Sequence, residues 1–262
     1  MKTAVVTGGS SGIGKETAIA LKNRGYLVYE FSRRESLNEG ILHVGCDVTS
    51  ESSVKAAVDR VINEQGRIDV LVNNAGMGIS GAVEFTELED AKRLFDVNFF
   101  GTVNVTKAVL PHMRKAGGGR IINISSVAAM TPIPFQTFYS ASKSAISTYS
   151  QALANEVRPF GISVCAIMPG DIKTGFTGAR KKSELGDSEY SQRISRSVAR
   201  MEHDEQTGMS PEVAGRYIAK IAQQRSVKPL YSIGFAYKAA CVVATLLPSR
   251  LRNFILRVMY AG

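Results

Sequence analysis

The chain has 262 residues, 44% of them hydrophobic and 21% charged, enough to bury a full core, so we expect one folded domain over residues 1–262. The net charge of +9 comes without a zinc finger or a basic stripe interleaved with aromatic residues, which argues against a nucleic-acid partner. Three widely separated cysteines without a CxxC pair exclude a disulfide framework and a metal site and indicate a reducing, cytoplasmic compartment.

Short apolar or β-branched runs alternate with longer stretches of helical periodicity. The runs that predict strands are Thr3–Thr7, Leu27–Phe31, Ile41–Val44, Val70–Asn73, Arg120–Ile124, Ser163–Met168 and Leu230–Ile233. This alternation is typical of βαβ units, and it predicts an α/β fold. We expect a Rossmann-type, doubly wound parallel sheet of about seven strands with helices on both faces. The first strand follows Met1 so closely that we expect no signal or transit peptide.

The first strand leads into a glycine-rich turn, Thr7-Gly-Gly-Ser-Ser-Gly-Ile-Gly14. Glycines allow a tight turn and a close approach to a pyrophosphate, and the helix that follows would present its N–H groups to it. An ordinary βα loop is the alternative, but the position directly after the first strand favours a dinucleotide site. The predicted contacts in this turn are Gly8, Ser10, Ser11, Gly12, Ile13 and Gly14.

The second strand ends in Phe31-Ser-Arg-Arg34, where a carboxylate would be expected for NAD(H) and an arginine for the 2′-phosphate of NADP(H). No acidic residue is present there, and Arg33 offers a permanently charged fork for phosphate oxygens. We therefore predict NADP(H), with Ser32, Arg33 and Arg34 at the phosphate. The alternative is that both arginines are solvated loop charges.

Asp47 and Val48 end the third predicted strand. Asp47 would accept a hydrogen bond from the adenine amino group, and Val48 would flank the ring. Asp47 is also placed to cap the helix beginning near Ser50, and both roles can hold together.

A predicted catalytic group comprises Ser126, Tyr139 and Lys143. Two prolines break the chain after the strand ending at Ile124, so Ser126 lies at a strand end and Tyr139 opens the next long helix. A spacing of four residues puts Tyr139 and Lys143 on one helix face, where the cation favours the phenolate. Lowering a phenol pKa from about 10 to about 7 takes about 4 kcal/mol, which we expect from Lys143 and an oxidised nicotinamide. A chance pair on a solvated face is the alternative.

Over residues 1–225 the chain resembles the short-chain dehydrogenase/reductase family. The motifs stand in family order: Thr7-Gly-x-x-x-Gly-x-Gly14, Asp47, Asn73-Asn-Ala-Gly76, Asn98, Ser126 with Tyr139-x-x-x-Lys143, and Pro169-Gly-Asp-Ile-Lys-Thr174. The resemblance implies an oxidoreductase that interconverts a carbonyl and an alcohol by hydride transfer with a nicotinamide cofactor.

The resemblance also implies a role for each residue. Ser126 would polarise the carbonyl, Tyr139 would donate or remove the proton, and Lys143 would hold the nicotinamide ribose and lower the tyrosine pKa. Asn98 would bind the water that links Lys143 to solvent. Further implied cofactor contacts are Asn74, Ala75 and Gly76 on the ribose side, and Pro169, Gly170, Ile172 and Thr174 near the nicotinamide.

The C-terminal part carries no decodable motif. Residues 175–209 are expected to form a substrate lid, and residues 230–262 a basic amphipathic extension. Glu212 is the last acidic residue, and the segment after it carries +8. One face of the last predicted helix is apolar, with Leu251, Phe254, Ile255, Val258 and Met259. Docking on the core or a subunit interface is favoured, ahead of an anchor on an anionic membrane or a wall of a substrate pocket.

An apolar tail of this kind resembles family members that act on bulky lipophilic substrates. The first expectation is a hydroxysteroid, followed by a retinoid or a 3-oxoacyl compound. Family members assemble as homodimers or homotetramers through two long helices, here about 88–115 and 138–158. A cofactor-sensing or scaffold protein with incidental activity is the alternative function, but a pure binder has no need of all four residues Asn98, Ser126, Tyr139 and Lys143.

Overall fold

The computed structural model describes residues 1–35 and 39–260. Seven parallel strands form the main sheet in the order β3-β2-β1-β4-β6-β7-β9. A second, two-stranded sheet pairs β5 with β8. The strands are β1 Lys2–Thr7, β2 Tyr26–Ser32, β3 Leu42–Gly45, β4 Val70–Asn73, β5 Ile79–Ser80, β6 Gly119–Ile124, β7 Ile162–Met168, β8 Lys181–Lys182 and β9 Leu230–Ser232.

Helices cover both faces of the main sheet, with α1 and α8 in the core on one face and α2, α4 and α5 in the core on the other. The helices are α1 Gly12–Lys22, α2 Glu51–Gln65, α3 Leu88–Phe95, α4 Gly101–Lys115, α5 Thr137–Val157, α6 Phe176–Ala179, α7 Arg193–Gln206, α8 Pro211–Gln223, α9 Phe235–Leu246 and α10 Ser249–Tyr260. The predicted Rossmann-type α/β fold is confirmed.

Burial on both faces explains why the strands could be found from apolar runs. In β1, Ala4 and Val6 pack into the core that holds α1 and α8, while Val5 packs into the opposite core. The middle of such a strand is apolar, because neither face meets water, while the polar residues of β1 lie at its ends. Each of the seven predicted strands agrees with the structure to within one residue at either end.

Close packing fixes α1 over the sheet. Gly215 of α8 lies against the backbone of α1, since a Cβ at this position would come within 2.5 Å of the Glu16 carbonyl carbon. The contact holds the N-terminus of α1 above the carboxyl end of β1, where strand order reverses between β2 and β4. Ligands bind at this switch point in open α/β sheets.

The expected substrate lid contains α6, β8 and α7. Ile194, Val198 and Met201 of α7 pack with Ala82 and Phe135 in a third, smaller core. This core ties the segment to the loop after β5 and to the loop before α5.

The two C-terminal helices pack on the rest of the chain, and α10 does so by the side opposite its apolar stripe. Leu256 of α10 is buried, and Arg252 and Tyr260 on the same side are half-buried. The apolar stripe of Leu251, Phe254, Ile255, Val258 and Met259 is exposed. No helix in the described part of the chain combines the length and the apolar character that a bilayer span requires.

Candidate active site

A cleft of about 700 Å³ lies at the carboxyl ends of the central strands. Of the predicted site residues, only Gly14 and Asn98 lie outside its lining. The predicted residues that line it are Gly8, Ser10, Ser11, Gly12, Ile13, Ser32, Arg33, Arg34, Asp47, Val48, Asn74, Ala75, Gly76, Ser126, Tyr139, Lys143, Pro169, Gly170, Ile172 and Thr174. Segments far apart in the sequence therefore meet in one cavity.

The glycine-rich turn allows close backbone approach. Gly8 and Gly12 have φ angles of +64° and +53°, in the left-handed region that favours glycine. Ser11, the N-cap residue of α1, makes no side-chain capping bond to the described chain, so the first N–H groups of the helix remain available to an anion in the cleft. Gly14 lies behind the turn, where a Cβ would come within 2.2 Å of the Gly8 carbonyl oxygen.

Asn74 holds the turn in place from the end of β4. Its Nδ2 donates to the carbonyl oxygens of Thr7 at 3.0 Å and Gly8 at 3.2 Å. The backbone N–H groups of Asn74 and Ala75 donate to the Thr7 hydroxyl at 2.9 and 3.0 Å. These bonds connect the glycine-rich turn to the Asn73-Asn-Ala-Gly76 motif, which lies far from it in the sequence.

The end of β2 carries a concentration of positive charge. Arg33 and Arg34 are exposed and line the cleft, and the Ser32 hydroxyl orders this turn by donating to the Arg34 carbonyl oxygen at 2.7 Å. Arg93 of α3 lines the same end. Arg93 could not be found from the sequence, because no motif distinguishes it from the other charged residues of its helix.

Asp47 is held in a local turn. Its Oδ1 accepts hydrogen bonds from the backbone N–H of Thr49 at 3.0 Å and from the Thr49 hydroxyl at 2.8 Å. These bonds, with smaller effects of Arg33 and Arg93, lower the pKa of the carboxyl group. The interpretation of Asp47 as a helix cap is wrong, because α2 begins after Ser50, whose side chain accepts from the Ser53 N–H.

Asn98 lies in a π-helical turn, Asp96–Phe100, between α3 and α4. Its side chain is fully buried behind the cleft. Oδ1 accepts from the Met77 N–H at 2.8 Å, and Nδ2 donates to the Met77 carbonyl at 3.0 Å and to the Ser142 hydroxyl at 3.1 Å. π-turns within α-helices often occur at functional sites. Here the π-turn fixes the backbone that follows Gly76.

The two serines after β6 have different surroundings. The Ser125 hydroxyl is buried, donates to the Lys143 carbonyl at 2.8 Å and contacts the Ser147 hydroxyl at 2.8 Å. The Ser126 hydroxyl accepts from the Ala128 N–H at 3.2 Å and hydrogen-bonds Tyr139. Ser126 is therefore the serine that shares the catalytic position with the tyrosine, as the family spacing implied.

Burial governs the two titratable groups of the predicted catalytic set. It raises the pKa of Tyr139 to about 12, against the opposing effects of the Ser126 hydrogen bond and the Arg180 charge. It also lowers the pKa of Lys143 to about 8. The ammonium donates to the Ile124 carbonyl at 2.9 Å and lies 5.7 Å from the Tyr139 ring centroid. The expected depression of the tyrosine pKa depended on a bound oxidised nicotinamide as well as on Lys143, and without that cofactor the effect of burial dominates.

The expected substrate end of the cleft lies beside Tyr139. The Phe176 ring is 5.8 Å from the Tyr139 ring, centroid to centroid, and the Arg180 guanidinium lies 5.7 Å from the Phe176 centroid. Arg180 is buried and forms an ion pair with Glu205, which lines the cleft and also accepts from the Thr177 hydroxyl.

A second carboxyl group lines this end. Asp171 accepts a hydrogen bond from the Tyr237 hydroxyl at 2.5 Å, and burial raises its pKa. Met201 of α7 and Tyr260 of α10 complete the lining here. Sequence reasoning assigned no role to Asp171, Glu205 or Tyr260, since only the fold brings them together.

The cleft fits a nicotinamide dinucleotide. The glycines with left-handed backbone conformation and the uncapped N-terminus of α1 suit a pyrophosphate. Gly12 also leaves space beside Thr174, because a Cβ at Gly12 would lie 3.4 Å from the Thr174 Cβ. Such a cofactor would supply the hydride. With a pKa of about 12, Tyr139 is protonated at neutral pH and can donate to a carbonyl oxygen, while the Ser126 hydroxyl provides a second hydrogen-bonding group.

Comparisons with known proteins agree with this geometry. A family model described as short chain dehydrogenase matches residues 2–185. Over 98% of its length the chain aligns with the 3-ketodihydrosphingosine reductase of Bacteroides thetaiotaomicron, with 46% identity and 97% of that protein covered.

Solved structures share the architecture. A short-chain dehydrogenase from Streptomyces avermitilis superposes with a TM-score of 0.84 at 30% identity, over 97% of this chain and 94% of that one. ElxO with NADP bound superposes with a TM-score of 0.76 at 29% identity, over 91% of this chain and 99% of that one. The present chain thus belongs to the short-chain dehydrogenase/reductase family, as an oxidoreductase that interconverts carbonyl and alcohol groups with a nicotinamide cofactor.

Proposed function

We propose that the chain reduces the ketone of a long-chain 2-amino-3-keto alcohol of the 3-ketodihydrosphingosine type, with NADPH as the reductant. The 46% identity to the Bacteroides thetaiotaomicron reductase, which spans nearly the whole of both chains, is the observation that carries this proposal. This similarity narrows the expected bulky lipophilic substrate to a long-chain amino ketone. The hydroxysteroid, the first expectation from the sequence, remains untested.

The polar groups beside Tyr139 support an amino ketone. In such a substrate the carbon that carries the ammonium group is bonded directly to the carbonyl carbon. The protein group that binds the ammonium must therefore lie at the same end of the cleft as the reacting carbonyl. Asp171 and Glu205 both line this end and act electrostatically on Tyr139. Glu205 is neutralised by Arg180, which leaves Asp171 as the carboxylate for the substrate cation. A ketosteroid has no cationic group to use it.

NADPH oxidation across a substrate panel tests the proposal. The panel contains 3-ketodihydrosphingosine in detergent micelles, the corresponding ketone without the amino group, a ketosteroid, retinal and a 3-oxoacyl thioester. We expect the amino ketone to have the highest kcat/KM. Preferred turnover of another member would contradict the substrate, and tight NADPH binding without any turnover would favour the cofactor-sensing alternative.

Asp171→Asn tests the role of the carboxylate. Loss of a charge-assisted hydrogen bond should raise KM for the amino ketone by about 10- to 100-fold and leave the ketone without the amino group unchanged. Asp59→Asn, on the remote helix α2, is the matched control and should leave the KM for both ketones unchanged. Equal losses for both ketones in Asp171→Asn would mean that the residue only supports the structure.

The preference for NADPH is supported by Arg33, Arg34 and Arg93, which line the cleft at the end of β2. Arg33→Ser should lower the ratio of kcat/KM for NADPH over NADH by about 10- to 100-fold, because a charge-assisted contact to the 2′-phosphate is lost. Arg60→Ser, on an exposed face of α2, should leave the ratio unchanged. An unaltered ratio in Arg33→Ser would mean that Arg33 is a solvated loop residue that does not contact the cofactor.

A further inference from the structure

The two C-terminal helices expose several large apolar side chains to solvent, and we call this set of residues the C-terminal apolar face. It consists of Phe235, Val242, Val243 and Leu246 on α9 and Leu251, Phe254, Ile255, Val258 and Met259 on α10. The helices are adjacent, since the Arg252 guanidinium donates to the Ala244 carbonyl oxygen at 3.2 Å. Exposed apolar surface of this extent usually marks a binding site for a protein or a membrane.

The orientation of α10 makes the exposure unusual. Leu251, Phe254, Ile255 and Val258 follow the spacing of a single helical stripe, which an amphipathic helix normally buries against the core. Here the helix docks by its other side, through Leu256, and the stripe points outward. Phe254 is 53% exposed and Val258 60% exposed. The fold therefore leaves the more apolar side of this helix without a partner in the described chain.

The charges around the face have one sign. Lys238, Arg250 and Arg257 are exposed beside it, and none of them forms an ion pair within residues 1–35 and 39–260. No acidic residue follows Glu212 in the sequence. The Arg257 guanidinium lies 5.3 Å from the Phe254 ring centroid, so a cation stands directly beside the apolar stripe.

We propose that the C-terminal apolar face docks on an anionic lipid bilayer. The apolar stripe enters the boundary between headgroups and acyl chains, and Lys238, Arg250 and Arg257 contact the lipid phosphates. A second copy of the chain is a poorer occupant. Two-fold pairing of this face would bring two basic segments together with no acidic side chain from either segment between them.

The C-terminal apolar face lies on the helix that ends at the substrate end of the cleft, which suggests what docking would be for. Tyr260, at the end of α10, and Met201, on α7, both line the expected substrate end. Docking through α10 therefore places this end of the cleft close to the bilayer. If the proposed function holds, a long-chain ketone can enter from the membrane without crossing water.

Vesicle sedimentation tests the docking independently of catalysis. The full chain should sediment with vesicles of phosphatidylglycerol and phosphatidylcholine but not with pure phosphatidylcholine. Phe254→Glu/Val258→Glu should lower the bound fraction at least tenfold, because two apolar contacts are replaced by charges that the anionic surface repels. Val83→Glu/Leu88→Glu replaces two similarly exposed apolar residues, 51% and 63%, elsewhere and should bind as the unaltered chain does.

The electrostatic part is tested separately. Lys238→Gln/Arg250→Gln/Arg257→Gln should weaken binding to the anionic vesicles on the order of 100-fold, since each basic residue near such a surface contributes about fivefold. High salt should weaken binding of the unaltered chain in the same direction. This variant keeps the apolar stripe, so it tests the charge contribution even if the glutamate variant folds poorly.

Two results would overturn the proposal. One is the absence of sedimentation with anionic vesicles; the other is equal binding of Phe254→Glu/Val258→Glu and its control. Sedimentation velocity identifies the competing occupant, because a shift from dimer to monomer in Phe254→Glu/Val258→Glu without vesicle binding would make the face a subunit interface. NADPH oxidation with a water-soluble ketone should be unchanged in the same variant, so a failure of docking is distinguishable from a failure of the proposed function.

Discussion

The carboxyl edge of the sheet and the C-terminal helices differ in what they bury. At the sheet edge the polar groups of Asn98 and Lys143 lie inside the protein and are held by backbone carbonyl and N–H groups. In the C-terminal helices, apolar side chains such as Phe254 and Val258 lie outside. Both arrangements carry a cost in free energy, because one desolvates polar groups and the other exposes apolar surface to water.

The difference indicates two kinds of function. Buried polar groups with fixed partners hold reacting atoms in one geometry, which catalysis requires. Exposed apolar groups become favourable only when another surface covers them. Variants matched between the two regions test whether this distinction is real.

The largest effect is expected from Tyr139→Phe. It removes the proton donor while keeping the ring, so kcat should fall about 100- to 10,000-fold with little change in NADPH binding. Steady-state kinetics and NADPH fluorescence titration measure the two quantities. Tyr149→Phe, further along α5 and outside the cleft lining, is the control and should remain active. Near-normal turnover in Tyr139→Phe would refute the catalytic assignment.

Substitutions at two isoleucines compare the packing of the central sheet with that of the C-terminal helices. Ile122 in β6 is fully buried, whereas Ile255 in α10 belongs to the exposed stripe. Ile122→Ala should lower the free energy of unfolding by about 2 to 5 kcal/mol, through lost apolar contacts and a cavity. Ile255→Ala should cost about 1 kcal/mol or less. Urea unfolding measures both, and similar losses would show that the apolar stripe is covered in solution, for instance by a second copy.

Burial of the Lys143 ammonium should affect the pH dependence of stability. With a folded pKa of about 8 and an ordinary pKa near 10.5, Lys143 holds fewer protons in the folded than in the unfolded chain between these values. Its contribution to the free energy of unfolding should therefore rise with pH across this window, by about 3 kcal/mol. Tyr139 acts oppositely at higher pH, between its ordinary pKa of 10.0 and about 12.

Lys143→Met isolates this contribution. The difference in the free energy of unfolding between the unaltered chain and the variant should grow in favour of the unaltered chain from about pH 8 to about pH 10. Lys238→Met, on the exposed face of α9, makes the same substitution at an exposed lysine and serves as the control for replacing a lysine by methionine. A flat difference for Lys143→Met would mean that its ammonium is solvated in the folded protein.

Short-range sequence signals predicted most of the fold and the core of the site. The strand runs agreed to within one residue, because a strand buried on both faces is mostly apolar. Thr7 to Gly14 and Tyr139 to Lys143 were recognisable because a left-handed turn requires glycine and one helix turn sets the Tyr–Lys spacing. These constraints act within a few residues, so the sequence displays them directly.

The properties that the sequence did not determine depend on distant parts of the chain. The Tyr139 pKa was expected to fall with Lys143 and an oxidised nicotinamide beside it, but in the protein without cofactor burial raises it, and that burial depends on segments distant in the sequence, such as α6 with Phe176. The apolar stripe of α10 was expected to dock on the core or on a subunit interface, and on the core of this chain the helix packs by its other side, through Leu256. Helical periodicity defines the two sides of a helix without saying which side the rest of the protein covers.

The sequence by itself determined the α/β fold, the glycine-rich turn and the membership of Ser126, Tyr139 and Lys143 in one site. These features follow from local geometry and from the apolar character that a two-sided sheet demands. Only the tertiary structure brought Arg93 to the end of β2 and Asp171 and Glu205 to the end of the cleft beside Tyr139. Only the tertiary structure turned the apolar face of α10 outward, because burial and electrostatic environment are sums over neighbours that the fold, rather than the local sequence, assembles.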